Sequence, residues 1–483
     1  MDLLRWPVVG ALARRRHARL ALQLPLLVLA GALVAHGMLG PQLAPRNLST
    51  VLTWVHYRGL LVVAVLAIGN LFCTGCPMIL ARDAGRRLFH PGWRWPRHLR
   101  NKWPAIVLFV AVLFAYEQFD LWSLPRATAW LIVAYFAAAV AVDTLFAGAT
   151  FCKYVCPIGQ FNFIASTMSP AELRVRDIGT CQSCRTADCI KGRRAARPMV
   201  SPLVVVRTPA EGTKSVATME VPRARDVVLR RGCELGLFLP AKVGNLDCTL
   251  CLDCVHACPH DNIALASRLP GAELSIPERR SGIGRLARRG DFAALAVVFT
   301  FGALLNAFAM TGAGTRQPVA LLVLAVLGVL PAAMLGGAAY TSRLLTGVRE
   351  PLRELAARFA WALVPLGLGI WVAHYGFHFL TGVLTFVPVV QSAAIDLTGR
   401  AVAGEPLWTW VGMPPGAVLP LQAGSILLGA LGSLGTTQRI ATEGRVSGWR
   451  AMLPWSVVII VLAVASLWVM MQPMDMRGVE MPG

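Results

Sequence analysis

The stretch Cys248-Thr-Leu-Cys251-Leu-Asp-Cys254-Val-His-Ala-Cys258-Pro259 sets four cysteines in a C-x2-C-x2-C-x3-C-P run. This spacing is typical of bacterial ferredoxins, in which such thiolates bind 4Fe–4S clusters. A zinc site is usually built from two separated Cys-x-x-Cys pairs around one tetrahedral ion. The run therefore favours an iron–sulfur module over a zinc site.

The same run predicts a second cluster, because in two-cluster ferredoxins its fourth cysteine binds the other cluster. A second set, Cys181-x2-Cys184-x4-Cys189, lies upstream, and Cys233 stands between the two sets. The x4 gap and the long insert before Cys233 depart from the compact ferredoxin pattern. We predict two clusters with crossed ligands, one held by Cys181, Cys184, Cys189 and Cys258 and the other by Cys248, Cys251, Cys254 and Cys233.

The rest of the chain is too apolar for a soluble protein. Its 483 residues are 56% hydrophobic and 15% charged, and several apolar runs are long enough to cross a bilayer. We predict an all-α polytopic membrane protein of about nine transmembrane helices, with an inserted cytoplasmic ferredoxin-like α+β module. The expected parts are a four-span bundle (1–170), the two-cluster module (171–290) and a five-span bundle (291–483).

The net charge of +21 suggests nucleic acid at first, but its placement indicates a membrane. Lys and Arg crowd alternate loops, as the positive-inside rule requires, and the insert lacks the aromatic interleaving of a nucleic-acid binder. The pattern predicts a cytoplasmic N-terminus and cytoplasmic clusters, with a periplasmic C-terminus. Cytoplasmic thiols also stay reduced, which suits cluster ligands.

Two spans of the first bundle end alike, in Gly69-Asn-Leu-Phe-Cys73-x2-Cys76-Pro and Gly148-Ala-Thr-Phe-Cys152-x3-Cys156-Pro. We interpret this as a duplicated hairpin that brings four thiolates together at one membrane-surface site. Soft thiolates suit Cu(I), zinc or iron–sulfur, and they also form redox-active pairs. Small buried helix-end cysteines are the plainer alternative. The sequence thus predicts a third metal site formed by Cys73, Cys76, Cys152 and Cys156.

Electron flow between cytoplasmic clusters and the membrane needs a further redox partner, for which quinone and haem b are the candidates. We place a candidate quinone site near Trp54, His56, Tyr57 and Arg58. A bis-histidine haem would pair His374 or His378 of one helix with His36 or His56 of another. The alternative is that these are ordinary interfacial residues near helix ends.

With these motifs, residues 50 to 270 resemble the membrane polyferredoxins, a group of bacterial inner-membrane proteins. The group includes membrane subunits of periplasmic nitrate reductase systems, electron donors of nitrous oxide reductase and accessory proteins of cbb3 oxidase. The first membrane motif is Cys-x2-Cys-Pro rather than Cys-x3-Cys-Pro, and the five later spans have no counterpart in the group. The resemblance implies electron transfer to the quinone pool or to a respiratory or photosynthetic chain.

Three further expectations concern partners and alternative functions. The Arg-rich insert suits docking of an acidic ferredoxin or flavodoxin, or of another redox subunit. Whether the chain is itself a quinone-linked oxidoreductase subunit stays open at the level of sequence. The competing functions are copper handling for assembly of a terminal oxidase or reductase, and redox sensing.

Overall fold

The computed structural model describes residues 1–15, 17–89, 92–196, 226–277, 280–281, 283–443 and 448–474. Within these ranges, eight helices are long and apolar enough to cross a membrane, which confirms a multi-pass α-helical membrane protein. They are Ala18–Leu39, Leu48–Ala67, Pro125–Leu145, Gly290–Ala309, Val319–Thr346, Leu352–Thr381, Pro415–Thr442 and Trp449–Met470. The part of the predicted insert at 197–225 lies outside the described residues.

A ninth apolar helix, Trp103–Gln118, is shorter at 16 residues. At its start, the Lys102 backbone N–H donates to the Asp291 carboxylate at 3.0 Å. At its end, the Asn306 side chain donates to Glu117 at 3.4 Å. Trp103–Gln118 therefore runs beside Gly290–Ala309, in the same direction and over nearly its whole length.

Two helices form the centre of the bundle. Gly290–Ala309 and Leu352–Thr381 are 83% buried over their most apolar stretch, whereas the corresponding value for Ala18–Leu39 is 6%. A helix that is apolar on every side can be buried wholly in protein or can face lipid, and this bundle contains both kinds. Trp371 of the central pair packs on Phe161, with ring centroids 5.3 Å apart.

The two ends of the described chain lie on opposite faces of the bundle. Asp2 forms an antiparallel bridge with Ala266 of the cysteine-bearing module. Met474 bridges Thr311, which follows the end of Gly290–Ala309 that is remote from the module. The N-terminal residues thus share a face with the module, and Met474 lies across the bundle from it.

The module is built from two small antiparallel sheets. Strand β1 (Ala171–Val175) pairs with β4 (Ile263–Ser267), and β2 (Arg193–Ala196) pairs with β3 (Asp226–Arg230). A third pair, β5 with β6, is two residues per strand, at Arg280–Ser281 and Gly284–Arg285. The first two pairs are nested in the sequence, since β2 and β3 lie between β1 and β4. The cysteine-bearing segments connect β1 to β2 and β3 to β4.

Two one-turn helices of the module match each other. Asp188–Lys191 follows Ala187, and Asp253–Ala257 follows Leu252, and both preceding residues have left-handed backbone with φ of 52° and 62°. Each helix begins with Asp-Cys, so Cys189 and Cys254 occupy equivalent positions. The module therefore contains two locally matching turn-and-helix segments.

The two Cys-Pro segments of the first bundle also match. Gly69 and Gly148 have positive φ, 106° and 86°, and there the chain turns after the spans Leu48–Ala67 and Pro125–Leu145. Glycine is favoured because a Cβ disfavours this backbone region. Each Cys-Pro pair then leads into a helix. The short helices outside the spans include Pro7–Arg14, Leu71–Thr74, Met78–Leu88, Pro157–Ala165, Ile178–Ser183 and Phe386–Thr398.

Candidate functional site: three groups of cysteines

The first group of cysteines lines a single cavity of about 310 Å³. Its members are the four that the crossed-ligand prediction assigns to one cluster, namely Cys181, Cys184, Cys189 and Cys258. Asn262 donates its side-chain N–H to the Cys181 sulfur at 3.3 Å and its backbone N–H to the Cys258 sulfur at 3.4 Å. The fold therefore brings together the four cysteines that their sequence spacing had grouped.

The first group is partly open to solvent, in a cavity lined by both polar and apolar side chains. Hydrogen bonds from the Ala187 backbone and then from Thr186 lower the pKa of the Cys184 thiol to about 7. Burial and the neighbouring Cys258 raise the pKa of Cys189 to about 11. His260, which also lines the cavity, is exposed. This group is therefore accessible from the aqueous side of the module.

The second group lies deeper, against the membrane bundle. Cys254 interacts electrostatically with Cys248 and Cys233, and Cys251 interacts with Cys254. Burial raises the pKa of both Cys251 and Cys254. The Leu237 backbone N–H donates to the Cys233 sulfur at 3.4 Å. These are the four cysteines predicted for the second cluster.

Direct hydrogen bonds join this second group to the first Cys-Pro segment. The Asn70 side chain donates to the Cys248 carbonyl at 3.1 Å, and the Thr74 hydroxyl donates to the Leu250 carbonyl at 2.9 Å. Asn70 also accepts from the Cys73 backbone N–H at 3.3 Å. One asparagine thus contacts both the module and the membrane cysteines.

The third group consists of the four membrane cysteines, which lie near enough to one another to interact electrostatically. Cys73 interacts electrostatically with Cys76 and Cys156, and Cys152 interacts with Cys156 and Cys76. The Gly159 backbone N–H donates to the Cys156 sulfur at 3.1 Å.

This third group lies deeper than the membrane surface, where the sequence placed it. The Tyr135 hydroxyl is 3.3 Å from the Cys156 sulfur and accepts from the Ile158 backbone N–H at 3.2 Å. Tyr135 is ten residues from the end of Pro125–Leu145, about 15 Å along the axis at 1.5 Å per residue. The reason is the turn at Gly148, after which residues 151–158 run back alongside the span.

Among the residues that the structure describes, no three His, Cys, Asp or Glu side chains form a group able to hold one metal ion. A 4Fe–4S cluster binds each of its four thiolates through a different iron, so its ligands stand farther apart than those of a single ion. The first group fits such a cluster in donor chemistry, cavity and N–H···S contacts.

Buried arginines lie between the second and third groups. Arg19 contacts Glu234 at 3.2 Å and Asp253 at 2.9 Å, and Arg82 contacts Glu234 at 3.1 Å. Burial alone would raise the pKa of Glu234, but Arg19 and Arg82 overcome it and hold this pKa at about 2. Arg19 also interacts with Cys251, and Arg82 with Cys152. A network of paired arginines and carboxylates is thus fixed beside both groups.

The predicted quinone segment lies within the bundle. Trp54, Tyr57 and Arg58 belong to Leu48–Ala67, whose residues Val51–Tyr57 form a π-helical turn, a distortion often found at functional sites. Tyr57 interacts electrostatically with Cys73, Cys76 and Cys156. Tyr57 therefore lies next to the third cysteine group.

Arg58 is enclosed by aromatic rings of three helices. Its guanidinium carbon is 4.4 Å from the Trp54 ring centroid, 4.2 Å from that of Tyr116 and 5.1 Å from that of Tyr375. A cation over aromatic faces is stabilised electrostatically, and more so where water is excluded. An intramembrane arginine in such an enclosure marks a candidate functional site.

The histidines proposed for haem have separate surroundings. The rings of His374 and His378 meet edge to face with centroids 5.0 Å apart, and His378 Nε2 lies 3.2 Å from the Met310 sulfur. The two ring nitrogens of His56 lie 3.2 Å and 3.3 Å from the carbonyls of Val51 and Val383. His36 accepts from the Leu48 backbone N–H and contacts Asp396. Haem b stays a prediction, and these contacts disfavour His36 and His56 as axial ligands.

Several residues of these sites were not found by sequence reasoning. Asn262, Tyr135 and the Arg19–Glu234–Arg82 group belong to no short motif, and only folding brings them near cysteines. The repeated Asp-Cys at 188–189 and 253–254 could have predicted the two matching one-turn helices. No protein-family model matches this chain, and neither curated proteins nor solved structures provide a match.

Proposed function

We propose that this is a membrane-bound iron–sulfur electron-transfer protein, with a ferredoxin-like module that holds two 4Fe–4S clusters. The observation that carries the proposal is the cavity lined by Cys181, Cys184, Cys189 and Cys258, with Asn262 donating to two of the sulfurs. The nested strand pairs and the two matching Asp-Cys helices support such a module. The clusters would carry one electron at a time, at potentials set by hydrogen bonds, charge and solvent exposure.

The depth of the three groups supports an order for the electron path. The first group faces solvent, where a soluble acidic ferredoxin, a flavodoxin or another redox subunit would exchange electrons with it. The second group lies against the bundle, and the third lies inside it. Asn70 and the buried arginines lie between the last two. We therefore propose a path from the aqueous face, through the module, into the membrane.

A quinone is the acceptor or donor that best suits the inner end of this path. Reduction of a quinone to a quinol takes two electrons, delivered singly, and two protons. Tyr57 borders the third cysteine group, and Arg58 supplies a fixed positive charge that would stabilise a reduced quinone oxygen. His374 and His378 are further candidates on the neighbouring central helix.

The proposed location is a bacterial inner membrane crossed nine times, with Trp103–Gln118 as the short ninth span. The N-terminal residues and the module would be cytoplasmic and the C-terminal end periplasmic. The bridges Asp2–Ala266 and Thr311–Met474 support opposite faces for the two ends, which requires an odd number of crossings. The positive loops support the orientation.

Anaerobic purification with iron and acid-labile sulfide analysis tests the module. We expect about eight irons per chain for two cubanes, plus whatever the third group adds. Cys258→Ser should remove the same EPR signal as Cys181→Ser, although Cys258 belongs to the other run. Cys233→Ser should match Cys251→Ser. If Cys258→Ser instead matched Cys251→Ser and Cys233→Ser matched Cys181→Ser, the crossed ligands would be contradicted, and a metal-free wild-type protein would contradict the proposed function.

A quinone assay on the same preparation tests the inner end of the path. Reduced protein should reoxidise on addition of a soluble quinone, and Arg58→Gln should slow this at least tenfold while leaving the cluster signals in place. Arg126→Gln is the control, because Arg126 is an exposed arginine at the start of another span. Equal rates in the two variants would remove Arg58 from the proposed site.

Copper handling is the second candidate, since four buried thiols converge in the third group and soft thiolates bind Cu(I). Stoichiometric copper that disappears in Cys73→Ser and Cys152→Ser, without quinone activity, would favour an assembly role. Iron in its place, lost in the same variants, would extend the iron–sulfur path into the bundle.

A further inference from the structure

The seam between the module and the bundle contains a basic cavity of about 420 Å³. Its charged lining has six basic side chains against two acidic ones, an excess of four positive charges. The basic residues are Arg82, Arg86, Arg87, Lys191, Arg230 and Arg231, and the acidic ones are Asp83 and Glu234.

Half of the basic side chains are fixed in place by the protein. Arg231 contacts Asp83 at 2.6 Å, and Arg82 contacts Glu234 at 3.1 Å. Arg86 donates to the carbonyl oxygens of Asp143 and Gly148. These contacts hold the guanidinium groups without neutralising the whole cavity.

The other three basic side chains of the cavity carry its excess positive charge. Arg87, Lys191 and Arg230 are exposed and have no ion pair among the residues that the structure describes. Burial and then the charge of Arg82 lower the pKa of Arg86, while Asp143, Asp83 and Glu234 raise it. A bound anion would relieve the repulsion between the Arg82 and Arg86 guanidinium groups.

The position of the cavity indicates the source of the anion. Gly148 and Ala149 line it and follow directly after the span Pro125–Leu145, at the level where lipid headgroups lie. Leu88 and Phe89, next to Arg87, are 77% and 66% exposed, and Val228 in the lining is 54% exposed. Apolar side chains beside a basic cavity suit an acyl chain beside its phosphate.

We propose that this cavity binds a phosphate-bearing anion, and that its source is the headgroup of an anionic phospholipid with two phosphates, of the cardiolipin type. Basic pockets at the cytoplasmic ends of transmembrane helices are known to recognise such headgroups. The lipid would connect α-helical residues 86–87 of the bundle to residues 190–191 and 230–232 of the module. The proposal is independent of any redox activity.

Native mass spectrometry of the full-length protein, extracted in mild detergent and supplied with cardiolipin, tests the proposal. The double variant Arg87→Gln/Arg230→Gln should bind cardiolipin roughly twenty-five-fold more weakly, at about fivefold for each basic side chain. Arg174→Gln/Arg288→Gln is the matched control, since both residues are exposed and outside the cavity. The control should bind as wild type does.

Two further measurements distinguish a lipid headgroup from a free phosphate as the bound anion and test whether the variants fold. Inorganic pyrophosphate should fail to displace the lipid at equal concentration; displacement, with no lipid retained from the membrane, would overturn the lipid source. Circular dichroism and the melting temperature should match between the two double variants. Equal cardiolipin affinity in both folded double variants would overturn the proposal.

Discussion

The hydroxyl of Tyr135, in the middle of a membrane span, lies 3.3 Å from the sulfur of Cys156. Since the same oxygen accepts from the Ile158 backbone N–H, its own proton is available to the sulfur. A phenol that donates to a thiolate or cluster sulfur stabilises the more negative state. Tyr135 thus couples the membrane helix to the electronic properties of the third cysteine group.

Replacing Tyr135 by Phe should lower the midpoint potential of a redox centre in this group by roughly 20 to 60 mV. A net hydrogen bond contributes about 0.5–1.5 kcal/mol, and 1.4 kcal/mol equals about 59 mV for one electron. Redox titration followed by EPR provides the measurement. Tyr154→Phe is the control, because that ring stacks on Trp95 and its hydroxyl interacts electrostatically with Arg100, Asp247 and Arg289 rather than with a cysteine. An unchanged potential in Tyr135→Phe would show that the contact has no redox consequence.

Replacing Asn262 by Ala should affect the solvent-facing cysteine group alone. The variant loses the side-chain contact to Cys181 at 3.3 Å but keeps the backbone contact to Cys258. We expect a fall of roughly 20 to 60 mV in the potential of the cluster proposed for that group, by the same conversion. The cluster proposed for the second group serves as an internal reference. Equal shifts in both clusters would contradict the assignment of Asn262 to one of them.

A buried ion pair, Lys102–Asp247, joins the bundle to the module at 2.7 Å, with each side chain at most 3% exposed. Lys102→Met leaves the carboxylate buried without its partner and should destabilise the protein by about 3–5 kcal/mol. Lys102→Met/Asp247→Asn should cost less than the sum of the two single changes, because neither charge is then left alone. Thermal unfolding of the four proteins completes the cycle. Strict additivity would mean that the pair is not coupled.

The short helix Trp103–Gln118 should cross the membrane despite its length. Single cysteines can be introduced as Arg97→Cys, before the helix, and as Gln118→Cys, at its last residue, and both positions are exposed. In oriented vesicles, an impermeant maleimide should label these two positions from opposite sides, with the wild-type protein as the background. Labelling of both from one side would reduce the crossings to eight and remove the odd count.

The cysteine spacing and the apolar runs predicted much of this structure, because both are local properties of the chain. The crossed set Cys181, Cys184, Cys189 and Cys258 was joined by spacing alone, and the fold gives these side chains one cavity. Despite the x4 gap between Cys184 and Cys189, Ala187 adopts the same left-handed backbone conformation before Asp-Cys as Leu252 does.

Other features depend on contacts between distant residues and have no signal of their own. The depth of Cys156 follows from the packing of residues 151–158 along Pro125–Leu145. Composition alone does not predict this depth, because an apolar segment that returns into the bundle has the same composition as one that leaves it. The contact between Lys102 and Asp247 joins residues that are far apart in the sequence. The aromatic enclosure of Arg58 likewise requires Tyr116 and Tyr375 from two other helices.

The bridge between Asp2 and Ala266 also sets an order for biogenesis. The ribosome makes Asp2 before the helix Ala18–Leu39, whereas Ala266 is made after the whole N-terminal bundle. The first residues must therefore remain on the module side while the intervening helices enter the bilayer. The module closes its sheet only after that insertion, so metal delivery to its cysteines would occur at the membrane surface, on a protein that is already anchored.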